Sequence, residues 1–323
     1  MENSMHKKME FRPVFQYRFL QPKYWGTWLA LGACCGIALM PVTLRDPLLG
    51  ALGRTVGKFA RRARRRARIN LYYCMPELTE TQREDIIDQM FAVAPQSMAV
   101  VAELALRQPE KLRKRVVWHG REIIDELRAS KQNVIFLVPH GWAIDIAAML
   151  ITAEGVQGVG LIQHQRNQLV DYIWNKVRCC YGARVFSRNN GIKPFIDSVR
   201  NGSWGYYLPD EDHGAEQSEF VGFFGTYKAT LPAAARLMKV CRARVVPLFP
   251  TYDSKRHQVH MHIRPPMDDL QNADAVTQAR RMNEEIENLV RPHPEQYTWI
   301  LKVLKTRKPG EAEPYLREDL YPE

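Results

Sequence analysis

Cysteine is scarce in this 323-residue chain. There are six, four of them in the adjacent pairs Cys34-Cys35 and Cys179-Cys180. Six are too few to staple a domain of this size, and no C-x-x-C spacing offers a zinc or redox site. The sequence therefore reads as reduced and cytosol-facing. A G-x-S-x-G nucleophile elbow is also missing, as are internal repeats and, after residue 68, any low-complexity linker. A mean hydropathy of -0.36 excludes a polytopic membrane protein. A hydrophobic share of 46% excludes wholesale disorder. The length fits one large domain or two small ones.

The chain has one long uncharged run, Trp25–Leu44, and a basic excess that is local. Of the net charge of +11, residues 1–44 carry +3, residues 45–68 carry +8, and residues 69–323 are balanced. A nucleic-acid domain spreads its cations over a folded face. Here they follow an apolar segment, which points to a membrane surface and to no nucleic-acid partner. Twenty residues suffice to cross roughly 30 Å of hydrocarbon, and Tyr24, Trp25 and Trp28 suit an interface. The expected organisation is a tail over 1–24, a membrane anchor over 25–44, a basic membrane-surface segment over 45–75 and a catalytic domain over 76–323. The anchor either spans or lies in the interface. The arginines after it would hold the domain in the cytoplasm.

Downstream, hydrophobic periodicity alternates between helix and strand. Thr79 with Gln82 fits a capping box opening a helix to Leu106. Further helices are expected over 122–130, 143–152, 169–181, 192–200, 231–241 and 275–290. Apolar runs at 134–138, 158–162, 204–208, 245–252 and 259–264 read as strands. This alternation predicts an α/β fold, a mixed sheet flanked by helices.

Candidate chemistry gathers at the ends of two of these strands. His140, in Pro139-His-Gly-Trp-Ala-Ile-Asp145, directly follows an apolar strand, where α/β proteins place reactive groups. A bend at Gly141 would let Asp145 reach the imidazole, orient it and favour its protonated form, as a general base requires. A purely structural histidine fits the same short motif. Asp210-Glu211-Asp212 follows the strand at 204–208. It reads either as carboxylates that position a basic group or a sugar hydroxyl, or as a polar turn. His260 and His262 share one face of a strand by alternation; a polar outer strand is the simpler reading than a metal site. Arg166, Arg178, Arg184, Arg188 and Lys193 form a sparse basic set, suited to phosphates, an acidic protein or surface ion pairs. No metal and no cofactor is expected.

Several blocks, in order, carry a resemblance across nearly the whole chain. They are Tyr24-Trp-Gly26, Arg68-Ile-Asn-Leu71 with Met75-Pro-Glu77, the His140–Asp145 block, Tyr207–Asp212, Phe220–Gly225, and Pro294–Trp299 with Lys305-Thr-Arg307. Together they resemble the late (secondary) acyltransferases of lipid A biosynthesis. The resemblance implies a domain similar to glycerol-3-phosphate acyltransferase behind an inner-membrane anchor. It implies transfer of a fatty acyl chain, of myristoyl length, from acyl carrier protein to the 3-hydroxyl of an acyl chain on Kdo2-(lauroyl)-lipid IVA. It matches family catalytic residues to His140 and Asp145, and a family arginine and aspartate to Arg178 and Asp210 as substrate-binding residues; Arg166 and Arg188, from the basic set, are further substrate-binding candidates. Glu211 departs from the Gln or His common there. An acyl-CoA donor, another lipid acceptor, or a non-enzymatic membrane-binding protein remain alternatives.

Overall fold

The computed structural model describes residues 13–317 and 320–321; the first half of the expected N-terminal tail lies outside them. Helices α1 (Trp25–Leu39), α2 (Val42–Phe59) and α3 (Arg61–Cys74) precede the long helix α4 (Glu80–Leu106). Helix α4 begins at the expected capping box: the Thr79 hydroxyl accepts from the Gln82 amide, and the Gln82 side chain accepts from the Thr79 amide. A short helix α5 (Pro109–Arg113) leads into strand β1 (Val116–His119).

Strands β2 (Asn133–Leu137), β3 (Gly158–Ile162), β4 (Arg184–Ser187) and β5 (Trp204–Tyr207) form the parallel part of the main sheet. Helices α6 (Arg121–Ala129), α7 (Ile144–Ala153), α8 (Gln168–Arg178) and α9 (Lys193–Arg200) connect them. A hairpin of β6 (Glu219–Phe223) and β7 (Thr226–Thr230) forms a separate two-stranded sheet. Helix α10 (Ala234–Cys241) then leads to β8 (Ala243–Asp253), β9 (Gln258–Ile263) and helix α11 (Ala275–Val290).

The seven-stranded order is β1-β9-β8-β2-β5-β3-β4. Strand β8 runs parallel to β2 and antiparallel to β9, and β1 pairs parallel to β9. The sheet is therefore mixed, as expected. Its centre is the apolar β2, whose Val134–Leu137 are all buried. Two apolar cores lie on its two faces, one against α3, α10 and α11, the other against α4 and α7.

Two expectations for the N-terminal region change. The uncharged run is not one helix: α1 ends at Met40-Pro41, and its fifteen residues at about 1.5 Å each fall short of a ~30 Å core. The Arg-rich α3 is not a free cationic surface either. Arg64 pairs with Glu84 and Asp88, Arg68 pairs with Glu84, and Arg65 donates to the carbonyls of Tyr315 and Arg317. Half of its arginines thus bind the protein to itself. Among the described residues, only Glu80–Leu106 is long and apolar enough to cross a membrane. It is a core helix, buried at Ile87, Met90, Val93, Val100 and Leu104.

Candidate active site

Strands β2 and β5 are adjacent and parallel, so the loops leaving their carboxyl ends meet. His140 stands three residues beyond β2, and Asp210 three beyond β5. The backbone N–H of His140 donates to Asp210 Oδ2 at 2.8 Å, and the imidazole Nδ1 lies 2.5 Å from Asp210 Oδ1. Asp210 is fully buried. Burial resists its ionisation, but the charge and hydrogen bonds of His140, with Lys228, outweigh burial and hold its pKa down to about 2. Burial likewise opposes charge on His140. The Asp210 carboxylate outweighs it and raises the imidazole pKa above its ordinary value. Because ionised Asp210 only accepts, Nδ1 carries the proton and Nε2 is left with its lone pair. Nε2 is 3.6 Å from Glu211 Oε1, and Glu211 in turn is bound by Arg188 at 2.6 Å.

The partner of His140 is therefore Asp210, and the expected contact with Asp145 does not form. Asp145 sits in the first turn of α7, on the side facing α8. There Arg178 grips it with two parallel bonds, Nε at 2.7 Å and Nη2 at 3.1 Å. A bidentate pair of this kind satisfies the carboxylate by itself. Five residues of turn and helix carry Asp145 around to α8, whereas adjacent parallel strands carry Asp210 directly to the imidazole. Gly141 serves close packing: a Cβ there would approach the Phe249 ring at 2.7 Å and the Gln296 carbonyl at 3.1 Å.

A cavity of about 300 Å³ opens beside His140. Its walls come from α7 (Met149, Thr152), β3 (Gly158, Gly160) and β5 (Trp204, Tyr206), and Asp145, Arg178, Arg184, Arg188 and Glu211 also line it. A Cβ at Gly160 would meet nothing within 4 Å, so this strand leaves room where side chains would otherwise stand. Arg166 is outside this cavity. It lines a second one with Val14, Arg18, Phe19 and Tyr172.

The remaining sequence blocks close around the His140 loop. The Thr298 amide and hydroxyl both donate to the His140 carbonyl at 2.9 Å. The Trp142 amide donates to the Gln296 carbonyl. Asp212 accepts from the Thr306 amide and hydroxyl, each at 2.6 Å. Asn70 donates to the carbonyls of Trp299 and Leu301. His260 and His262 share a face and lie in a stack with His119 and His293; no cluster among the described residues could hold a metal ion. Sequence reasoning passed over Lys228 and Tyr297, both fully buried beside Asp210. No sequence signal marked the first: β7 reads Thr-Tyr-Lys-Ala-Thr, and its lysine is indistinguishable from a surface one.

A mixed sheet with a His–Asp pair at its strand ends and a cavity alongside, lined by apolar and charged side chains together, has the architecture of an α/β enzyme. The chain belongs to the bacterial lipid A biosynthesis acyltransferases, whose family model matches residues 12–306. It is 61% identical over 313 residues to the lipid A biosynthesis myristoyltransferase of Escherichia coli strain K12, covering 97% of each chain. It is 47% identical to a lipid A biosynthesis acyltransferase of Haemophilus influenzae, over 94% of this chain and 95% of that one. The E. coli lipid A biosynthesis lauroyltransferase is more distant, 29% identical over 92% of this chain and 97% of its own. The protein is an acyltransferase.

Proposed function

We propose that the protein transfers a myristoyl chain from acyl carrier protein to the 3-hydroxyl of an acyl chain on Kdo2-(lauroyl)-lipid IVA. The observation that carries the reaction is His140, its Nδ1 held by Asp210 and its Nε2, 3.6 Å from Glu211 Oε1, beside the cavity that the residue lines. Nε2 takes the acceptor hydroxyl proton as the oxygen attacks the thioester carbonyl. The C–O bond forms, the C–S bond breaks, and the proton passes to the departing thiolate. No acyl-enzyme forms and no metal or cofactor takes part. Asp210 holds the imidazole; Asp145 holds Arg178, which presents its remaining N–H groups to a substrate phosphate. Choice of the myristoyl chain follows the 61% identical relative named for it, and the cavity suits an acyl chain.

The acceptor is a membrane lipid, and the N-terminal helices fit a bilayer in an unexpected way. Helix α2 turns Gly50, Gly53 and Gly57 inward and Leu44, Leu48, Leu52, Val56 and Phe59 outward. Large apolar residues outside and glycines inside invert the pattern of a soluble surface helix and match helices packed within lipid. Helices α1 and α2 thus seat the enzyme on the inner membrane, with the catalytic domain on the cytoplasmic side.

The test is mass spectrometry of lipid A from the source bacterium with and without this gene, complemented by wild type or His140→Ala. Loss of one acyl chain, restored by wild type alone, is the expected result, and its mass names the chain. Unchanged lipid A in the deletion strain, with no second gene supplying the activity, would point to another acceptor. Purified enzyme offered acyl carrier protein and acyl-CoA thioesters separately decides the donor.

A further inference from the structure

Lys228 is fully buried, which is rare for lysine unless it has a partner. It lies on β7, outside the main sheet, in register with Val221. Its ammonium donates to the backbone carbonyl of Asp210 at 2.9 Å and rests 5.3 Å from the Phe223 ring centroid. Desolvating an ammonium is costly, and an apolar residue would fill the place without that cost. Something in the site repays it, and the group beside it is the carboxylate that holds His140.

We propose that Lys228 is a positioning residue that fixes the Asp210 loop and keeps His140 a weaker base than its buried carboxylate partner alone would make it. The proposal rests on the reading of His140 as general base. An unbalanced anion beside an imidazole binds the imidazole's proton tightly and leaves the base occupied at neutral pH. Lys228, a buried cation bound to the backbone carbonyl of the same residue, offsets part of that pull.

The charged and titratable groups around this unit come from every element packed on it. Asp210, Glu211 and Asp212 from the loop after β5 and Cys74 from the end of α3 face Lys228. Tyr297 from the C-terminal segment and Tyr207 at the end of β5 feel the Asp210 charge, and burial keeps both phenols protonated. Glu211 and Arg188 act on His140 with opposite sign. Burial depresses the pKa of Lys228, and Asp210 and Asp212 partly restore it.

The direct measurement is the His140 titration by NMR of protein labelled at histidine, the resonance assigned by its loss in His140→Gln. It uses full-length protein without substrate. Lys228→Met removes charge and donor; Lys228→Gln removes charge but keeps a donor for the Asp210 carbonyl. Both should raise the His140 midpoint by about one pH unit, and Lys228→Arg should stay near wild type. The acidic limb of kcat/KM against pH should move to higher pH with the midpoint, while a purely structural loss would lower the rate equally at all pH values. An unchanged midpoint in folded Met and Gln variants overturns the proposal, as does a wild-type midpoint in the Gln variant alone. If the midpoint moves but the rate profile does not, the role of Lys228 stands and the reading of His140 as base fails.

Discussion

Two aspartates border the site, and they do different things. Asp210 is bonded to His140 twice, by backbone and by ring. Asp145 is bonded to Arg178 twice and not to the imidazole. Asp210→Asn should therefore lower kcat by about 10²-fold or more, the scale of a displaced general base. Asp145→Asn should act chiefly on KM and stability by loosening Arg178. Rates of both variants across pH check this. The Asp210 variant should also move the acidic limb to lower pH, since the anion that raises the His140 pKa is gone, and the Asp145 variant should leave the limb in place. Linkage gives a second readout. The folded pKa of Asp210 is about 2, below its unfolded value. Its stabilisation is therefore present above pH ~4 and is lost as pH falls toward 2. Wild type should lose more Tm than Asp210→Asn over that interval. The sequence showed His140 and Asp210 as candidates but could not show their pairing. A five-residue spacing is visible along a chain; adjacency of β2 and β5, which brings residues seventy apart together, is not.

At the scale of elements, the glycines of α2 offer a prediction whose sign is diagnostic. In an exposed helix, Gly→Ala gains up to about 1 kcal/mol. A Cβ at Gly53 would lie 2.1 Å from the Phe91 carbonyl oxygen of α4, a backbone atom with nowhere to go. Gly53→Ala should therefore destabilise, lowering Tm and exposing α2 to proteolysis while the rest of the chain stays intact. A Tm at or above wild type would mean that the contact is not tight. The same helix pair shows what sequence conveys at this level. The capping box before α4 and the apolar runs of β2, β3 and β8 were legible because each is a local signal. Strands β1 and β4 were missed because charge breaks their short apolar runs, Lys114-Arg115 directly before β1 and Arg184 opening β4. The β6–β7 hairpin was missed because its turn, Phe224-Gly225, lacks the usual polar pair. The inward glycines of α2 were read as part of a basic stretch, because charge at Arg54 and Lys58 conceals an apolar face that only the packing against α4 defines.

For the whole molecule, the question is where the membrane lies, and the two halves of the N-terminal region answer it differently. Charge counting favours α3, yet Arg64, Arg65 and Arg68 are committed to Glu84, Asp88 and the C-terminal carbonyls. Exposure favours α2 and α1, where Leu29, Leu44, Leu48, Leu52, Val56 and Phe59 face outward. Removing a leucine side chain from an apolar contact costs about 1 kcal/mol or more, so three substitutions together are worth roughly 3 kcal/mol. Leu44, Leu48 and Leu52 changed together to Ser should weaken partition onto phosphatidylglycerol-containing vesicles about 100-fold. The fold should survive, since none of the three is in the core. High salt should weaken wild-type binding only partly, because cations such as Arg61 and Arg62 contribute through a screened term. Neutralising Arg64 should cost stability and leave vesicle affinity nearly unchanged. If the triple serine variant bound like wild type and salt alone released the protein, the cationic helix would be the membrane contact after all, and α2 would need another partner for its outer face.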